Sequence, residues 1–402
     1  PEVQDYICDV IRYWVSEFDV DGIRLDAADV LDFDFMRALR HTAEEVKPDF
    51  WLMGEVIHGD YSRWVNGETL HSVTNYALHK ALYSGHNDHN YFEIAHTVKY
   101  LQNMGNLDLY NFVDNHDVER IYTKLSNKAH FTPVHILLYT LPGIPSIYYG
   151  SEFGIEGRKE RSSDDSLRPA LNITDYKDAV TSNPCTALIT ALGKIRQHTP
   201  ALSYGSYTEL QLTNRQYAFA RDLDNMRVII TVNNDDNDAW MNLPAGNAAE
   251  YVGTLTGQKV AVEGGCINVC VGANSGKIWV PTEDTSVPET FSENKDSIVE
   301  ETPVTHEEVK NEGSAETKTA PASSIPEAAS TKEDTDRTPA SAEKEPVNFD
   351  SNKAPEDMSI EELQAGILAK MATNGSVTDQ MKKTVYDNIW HDSLVNWIKS
   401  FR

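Results

Sequence analysis

Apolar spacing gives the first subdivision of the chain. Val3, Ile7, Val10, Ile11, Trp14, Val15 and Phe18 recur every three or four positions, which predicts a helix over 3–18 with one apolar stripe. Asp21-Gly22 closes it, and 23–25 reads as a short buried strand. A second helix carries Phe35, Met36, Leu39, Ala43 and Val46, and it stops at Pro48, which cannot supply a backbone N–H to a further turn. Strand patterns follow at 50–53, 71–74, 107–113 and 144–148, with helical patterns between them, notably at 92–101 and 135–141. Strands alternating with helices predict a parallel sheet. About five such strands fit either an open doubly wound sheet or part of an eight-stranded barrel, and periodicity does not choose.

The texture changes at 204–281, where short strands such as 217–221 and 227–232, rich in Thr, Val, Tyr and Ile, alternate with turns. That pattern predicts an antiparallel β domain. Its acidic turn, 233–238, lacks the Gly and distal Glu of a calcium loop and reads as a hairpin tip. From 282 to 355 the chain is Glu, Thr, Ser, Pro and Ala without Trp or Tyr, too apolar-poor to offset chain entropy, and is expected to be a disordered linker. Ser359 and Glu362 have capping-box spacing ahead of Leu363, Ile367, Leu368 and Met371, and a second helical stretch carries Met381, Val385, Ile389, Trp390 and Trp397. Two short amphipathic helices at 356–402 need a partner surface on this protein or another chain. The expected organisation is therefore a catalytic unit at 1–200, a β domain at 201–281, a linker at 282–355 and a helical tail at 356–402.

Charge narrows the partners. Lys and Arg number 35 against 62 Asp and Glu, a net charge of −27. The stretch 281–350 holds 18 acidic and 6 basic residues, so much of that charge is linker. A field of this sign repels phosphate backbones and anionic headgroups, which argues against nucleic acid and membrane partners. No apolar run approaches the roughly 20 residues of a membrane span. Cys8, Cys185, Cys266 and Cys270 lack paired CxxC spacing and read as reduced structural thiols, consistent with a cytoplasmic setting.

Three strand ends carry the candidate chemistry. In Asp21-Gly22-Ile23-Arg24-Leu25-Asp26 the strand period of two puts Arg24 and Asp26 on one face. Alone, they also fit an ion pair that fixes strand register. Gly54-Glu55 follows an apolar strand, and Phe112-Val113-Asp114-Asn115-His116-Asp117 ends another in four polar residues. Carboxylates at three strand rims fit glycoside hydrolysis, which needs an acid and a nucleophile flanking an oxocarbenium-like centre.

DGIRLD at 21–26, GE at 54–55 and FVDNHD at 112–117, in this order, resemble the signature regions of the α-amylase family of glycoside hydrolases, and PGIPSIYYGSE at 142–152 resembles that family's strand-eight loop. The resemblance covers about residues 1–175, and the β region after it is similar to the family's C-terminal domain. It implies an α/β fold: a partial (β/α)8 TIM barrel lacking strands 1–3, followed by an antiparallel β-sandwich, with the natural N-terminus upstream of Pro1. It implies Asp26 as nucleophile, Glu55 as general acid and base, and Asp117 as transition-state stabiliser, with Arg24 and His116 positioning nucleophile and sugar hydroxyls. Asp164 and Arg168 have the spacing of a pair that grips the sugar in relatives acting on short maltodextrins or cyclodextrins. Asp29 stands where many secreted α-amylases have a Lys-His pair, which those relatives also lack. The implied activity is retaining hydrolysis of α-1,4 bonds in α-glucan oligosaccharides, without a cofactor or a catalytic metal; a structural calcium is expected only in the missing N-terminal part. Transglycosylation by the same chemistry, and a non-catalytic interaction subunit, are the alternatives. Arg24 beside Asp26 is expected to favour its charge, leaving Glu55 as proton holder. Tyr76, Tyr148 and Tyr149 are candidate stacking faces for glucose rings.

Overall fold

The computed structural model describes residues 2–282, 353–355, 358–373 and 398. Helix α1 (Glu2–Phe18) leads into β1 (Gly22–Leu25), α2 (Phe33–Val46) and β2 (Trp51–Gly54). Asp32 caps α2 by accepting from the Asp34 and Phe35 amides, and Met36, Leu39 and Ala43 turn inward. Then come β3 (Ser72–Val73), α3 (Tyr76–Asn87), α4 (Tyr91–Gln102), β4 (Tyr110–Asn111), α5 (Ile121–Lys124), α6 (Phe131–Thr140) and β5 (Ile144–Pro145). α7 (Ala179–Ser182), α8 (Pro184–His198) and α9 (Pro200–Tyr204) complete this region. Asn183 caps α8 ahead of a proline at its first position.

Every neighbouring pair of these strands is parallel. β1 pairs with β2, β2 with β3 and β4 with β5, while the Thr74 to Tyr110 bridge joins the edge of β3 to β4. Spatial order thus follows chain order. A doubly wound sheet reverses its order at a switch point, and no reversal occurs here; sequential winding is the topology of a barrel wall. Outside the wall, α1 and α2 bury Cys8, Ile11, Met36 and Leu39 against Leu52 and Val73. The predicted stripe of α1 is only half used: Ile11 is buried, whereas Val3, Trp14 and Phe18 remain exposed, because the helix packs chiefly along α2.

The β region contains β6 (Ser206–Leu212), β7 (Gln216–Leu223), β8 (Met226–Asn233), β9 (Ala239–Pro244), β10 (Glu250–Gly253), β11 (Lys259–Ala261), β12 (Cys266–Val271) and β13 (Ser275–Pro281). Six strands form one sheet in the order β11-β10-β13-β8-β7-β6, and β9 pairs with β12. All these pairings are antiparallel. Both faces of the large sheet are apolar. Ala218, Ile229 and Trp279 face Met241, Leu243 and Val269 of the small sheet, while Tyr217, Phe219, Ile230 and Ile278 join the helix core that includes Ile136, Leu137 and Leu192. Period-two alternation therefore seats the β region on α6 and α8.

The turn at 233–238 corrects the sequence expectation. It links β8 to β9, strands of different sheets, so it is not a hairpin tip. Asn233 makes this crossing by donating from Nδ2 to the carbonyls of Asn237, Val271 and Gly272. The four cysteines are unpaired. Among the described residues no helix is long and apolar enough to cross a membrane.

A separate unit holds α10 (Ile360–Thr373), in which Leu363 and Ile367 are buried. Ser359 and Glu362 exchange hydrogen bonds as the capping-box spacing predicts, at 3.2 and 2.6 Å. The expected linker lies outside the described residues apart from 282 and 353–355, and the second tail helix lies outside them apart from 398.

Candidate active site

The ends of β1 and β2 are locked together first. The Glu55 amide donates to the Leu25 carbonyl and the Ala28 amide to the Glu55 carbonyl, both at 2.8 Å. Gly54 permits this closeness: a Cβ there would lie 2.5 Å from a Leu70 methyl and 2.7 Å from the Ala28 Cβ. Past β1 the chain bends through Ala27, held at φ 42°, and the Ala27 amide points at Glu55 Oε2 from 3.3 Å.

Arg24 connects the first two carboxylates. Its Nη1 contacts Asp26 Oδ1, and its Nη2 lies 3.0 Å from Glu55 Oε2. One guanidinium fork joining two oxygens keeps them within about 8 Å of each other. The shared face predicted for Arg24 and Asp26 is realised. The expected selectivity is not, because Arg24 pairs with both acids and so cannot by itself assign the proton to Glu55. Exposure separates the two instead: the Asp26 side chain is 80% exposed and that of Glu55 only 12%.

From Glu55 the chain of contacts continues across the remaining strand ends. The Tyr76 hydroxyl donates to Glu55 Oε1 at 3.2 Å and accepts from Asn115 Nδ2 at 3.1 Å. Burial pushes the Tyr76 phenol up to about 12, so it stays a donor. Asn115 Oδ1 accepts the amides of Asp117 and Val118 at 2.8 and 3.1 Å, a turn that presents the Asp117 carboxylate. His116 Nε2 lies 3.1 Å from Asp117 Oδ2. Arg168 Nη2 reaches Asp117 Oδ1 at 2.9 Å and Asp164 Oδ2 at 3.2 Å, while its Nε donates to the His116 carbonyl. Lys159 closes the series on Asp164 at 2.5 Å, and this hydrogen bond holds the Asp164 carboxyl below the usual carboxylate range. Asp26, Arg24, Glu55, Tyr76, Asn115, Asp117, Arg168 and Asp164 thus form one continuous contact chain over the C-terminal ends of five strands.

All seven residues singled out in the sequence lie in this cluster. Tyr76 belongs to it through its hydroxyl, which bonds both Glu55 and Asn115. Tyr148 and Tyr149 flank Arg120, whose guanidinium carbon lies 4.3 and 5.2 Å from their ring centres. Arg120 itself escaped the sequence reading. It is fully buried, and it donates to the carbonyls of Tyr149 and Leu167 at 2.5 and 2.8 Å and to Ser151 Oγ at 3.1 Å. Ser151 in turn donates to buried Asp114 at 2.7 Å, and burial raises the Asp114 carboxyl to about 6. Asp114 immediately precedes Asn115, and Leu167 immediately precedes Arg168. The Arg120 to Asp114 network therefore ties the loop bearing Arg168 to the strand end bearing Asp117. Only its position three residues past the NHD run signalled Arg120 in the sequence.

Among the described residues no group of three His, Cys, Asp or Glu side chains is arranged to hold a metal.

A cyclomaltodextrinase of Thermoanaerobacter pseudethanolicus is 31% identical over 241 residues, covering 58% of this chain and 41% of its own length. Neopullulanase 2 of Thermoactinomyces vulgaris is 27% identical over 289 residues, covering 69% and 48%. The chain thus spans somewhat less than half the length of these relatives. The α-amylase of Geobacillus thermoleovorans, solved with acarbose, superposes with a TM-score of 0.62 at 22% identity, over 71% of this chain and 65% of that one. The family profile described as alpha amylase, catalytic domain, matches residues 1–201, and the chain belongs to the α-amylase family.

Proposed function

We propose that this chain carries the carboxylates of a retaining α-glucan hydrolase that cleaves α-1,4-glucosidic bonds in starch-derived oligosaccharides, of the maltodextrin or cyclomaltodextrin hydrolase type. The observation that carries this reading is the guanidinium of Arg24 joining Asp26 to Glu55, which holds two carboxyl groups close enough to flank one glycosidic bond. The names of the relatives, cyclomaltodextrinase and neopullulanase, support the substrate class.

In this mechanism an Asp26 oxygen attacks the anomeric carbon while the glycosidic C–O bond breaks and protonated Glu55 delivers its proton to the leaving oxygen. A covalent glycosyl ester on Asp26 results. Glu55, now ionised, takes a proton from water, and the hydroxide attacks the anomeric carbon and frees Asp26. Arg24 orients both acids, and the Tyr76 hydroxyl supports the charge on Glu55 after transfer. Asp117 stabilises the oxocarbenium-like transition state, and His116, Asp164 and Arg168 bind ring hydroxyls. Water around exposed Asp26 is displaced when the sugar seats. The chain's own carboxyls supply acid and nucleophile, so these steps call for no cofactor.

Incubating the intact protein with maltotriose tests the reading. The product that carries the newly formed reducing end is expected first as its α-anomer, above the anomeric mixture carried over from the substrate's own reducing end, by proton NMR before mutarotation. Release as β-anomers would overturn the retaining pair, and products longer than maltotriose would assign transglycosylation instead.

A further inference from the structure

A cavity of about 530 Å³ opens at the N-terminal ends of β4 and β5, the end of the sheet opposite the carboxylates. That volume lies in the range occupied by small organic ligands. Segments 106–109 and 141–143 ahead of the two strands, the last turn of α4, and 203–207 wall it. Leu101 and Leu141 give an apolar side, and Tyr204, 81% exposed, presents its ring at the mouth.

Two opposite charges share the lining. Arg221 is only 2% exposed, yet its hydrogen bonds go to backbone carbonyls: Nε and Nη2 to Gly205, Nη1 to Thr140 at 2.6 Å. These contacts use three of five guanidinium N–H groups and leave two. Burial pulls the group down to about 10, as expected of a cation lacking a contacting carboxylate. Asp108 adds an exposed carboxylate and Gln102 an amide. An anion entering the cavity meets Asp108, and a cation meets Arg221. A neutral polyhydroxyl ligand satisfies both, because each hydroxyl can donate to a carboxylate and accept from a guanidinium, while the C–H face of a sugar ring lies on Tyr204.

We propose that this cavity is a second, non-catalytic carbohydrate site, taking the end of an α-glucan chain away from the carboxylate cluster. The neutral-sugar class follows from the lining; its being an α-glucan rests on the hydrolase reading. Such a site tethers a long substrate and raises its local concentration at the other end of the sheet.

Leucine methyl NMR on the intact Asp26→Asn protein tests this, since Leu101, Leu107, Leu109 and Leu141 line the cavity. Maltotriose is expected to shift these methyls saturably. Tyr204→Ala, at an exposed position that leaves the core untouched, is expected to raise the half-saturating concentration about fivefold. Shifts that persist in Glu55→Gln support a separate site even if the protein proves to hydrolyse nothing. Methyls unmoved by maltotriose, shifts unchanged in Tyr204→Ala, or shifts caused by inorganic phosphate but not by maltotriose would each overturn the proposal.

Discussion

Replacing Arg120 with Met keeps most of the side-chain volume and removes the guanidinium that ties the Arg168 loop to the Asp117 strand end. Buried Ser151 Oγ and the part-buried Tyr149 carbonyl lose their donor, and the Leu167 carbonyl keeps only the Tyr148 hydroxyl at 3.2 Å. An acceptor left unsatisfied in the interior costs about 1–3 kcal/mol, and relief from burying the charge offsets part of the sum, so a net loss of about 3 kcal/mol is expected. The rings of Tyr148 and Tyr149 also lose the cation between them. Lysine is no substitute, because a point charge on a flexible stem cannot reach three acceptors from one plane. Urea unfolding of the intact protein measures the loss. Native-state hydrogen exchange at the Arg168 amide, which donates to the Asp164 carbonyl at 3.1 Å, should accelerate more than exchange in β7 and β8. A loss under about 1 kcal/mol, or uniform exchange, would refute the assignment of Arg120 as the tie.

Asp114 makes stability pH-dependent. Its native carboxyl titrates near 6 against 3.8 as the ordinary value, so the folded state holds a proton that the unfolded state has released between these values. The wild type should therefore gain up to about 3 kcal/mol relative to Asp114→Asn as pH falls from 7 to 4, and lose it again as pH rises through 6. Urea midpoints at four pH values check the sign, and parallel curves would contradict it. Tyr76→Phe removes the donor to Glu55 and the acceptor for Asn115, and should lower kcat about tenfold with a smaller change in KM, measured on maltotriose. Trp279→Ala empties the centre of the β region and removes the partner of Thr231 Oγ1, and should cost about 3–5 kcal/mol by thermal unfolding.

Strand ends were the legible part of this site. Short apolar runs ending in acids put Asp26, Glu55 and Asp117 on rims, and parallel neighbours in chain order bring those rims together. Helix α3 was harder to see, because His79 and His86 interrupt its apolar stripe although both are buried, one stacked on Phe112 and the other bonded to the Leu82 carbonyl. β4 and β5 shrink to two residues each within longer apolar runs, and the Asn111 side chain bonds Asn75 and the Pro142 carbonyl, contacts that no apolar pattern signals. Arg120 was invisible for a different reason: its partners are backbone carbonyls 29 and 47 residues away, which leave no residue-type signature. The dual pairing of Arg24 was equally hidden, because it depends on β1 and β2 ending in register.

Covalent trapping puts the central claim to its most direct test. The intact protein is incubated with a fluorinated α-maltosyl fluoride that forms the glycosyl ester faster than water clears it, then digested with trypsin and analysed by tandem mass spectrometry. The account predicts a maltosyl adduct on the peptide running from Leu25 to Arg37, with fragment ions placing it on Asp26. An adduct on Glu55 or Asp117, or turnover of maltotriose without any adduct, would contradict it.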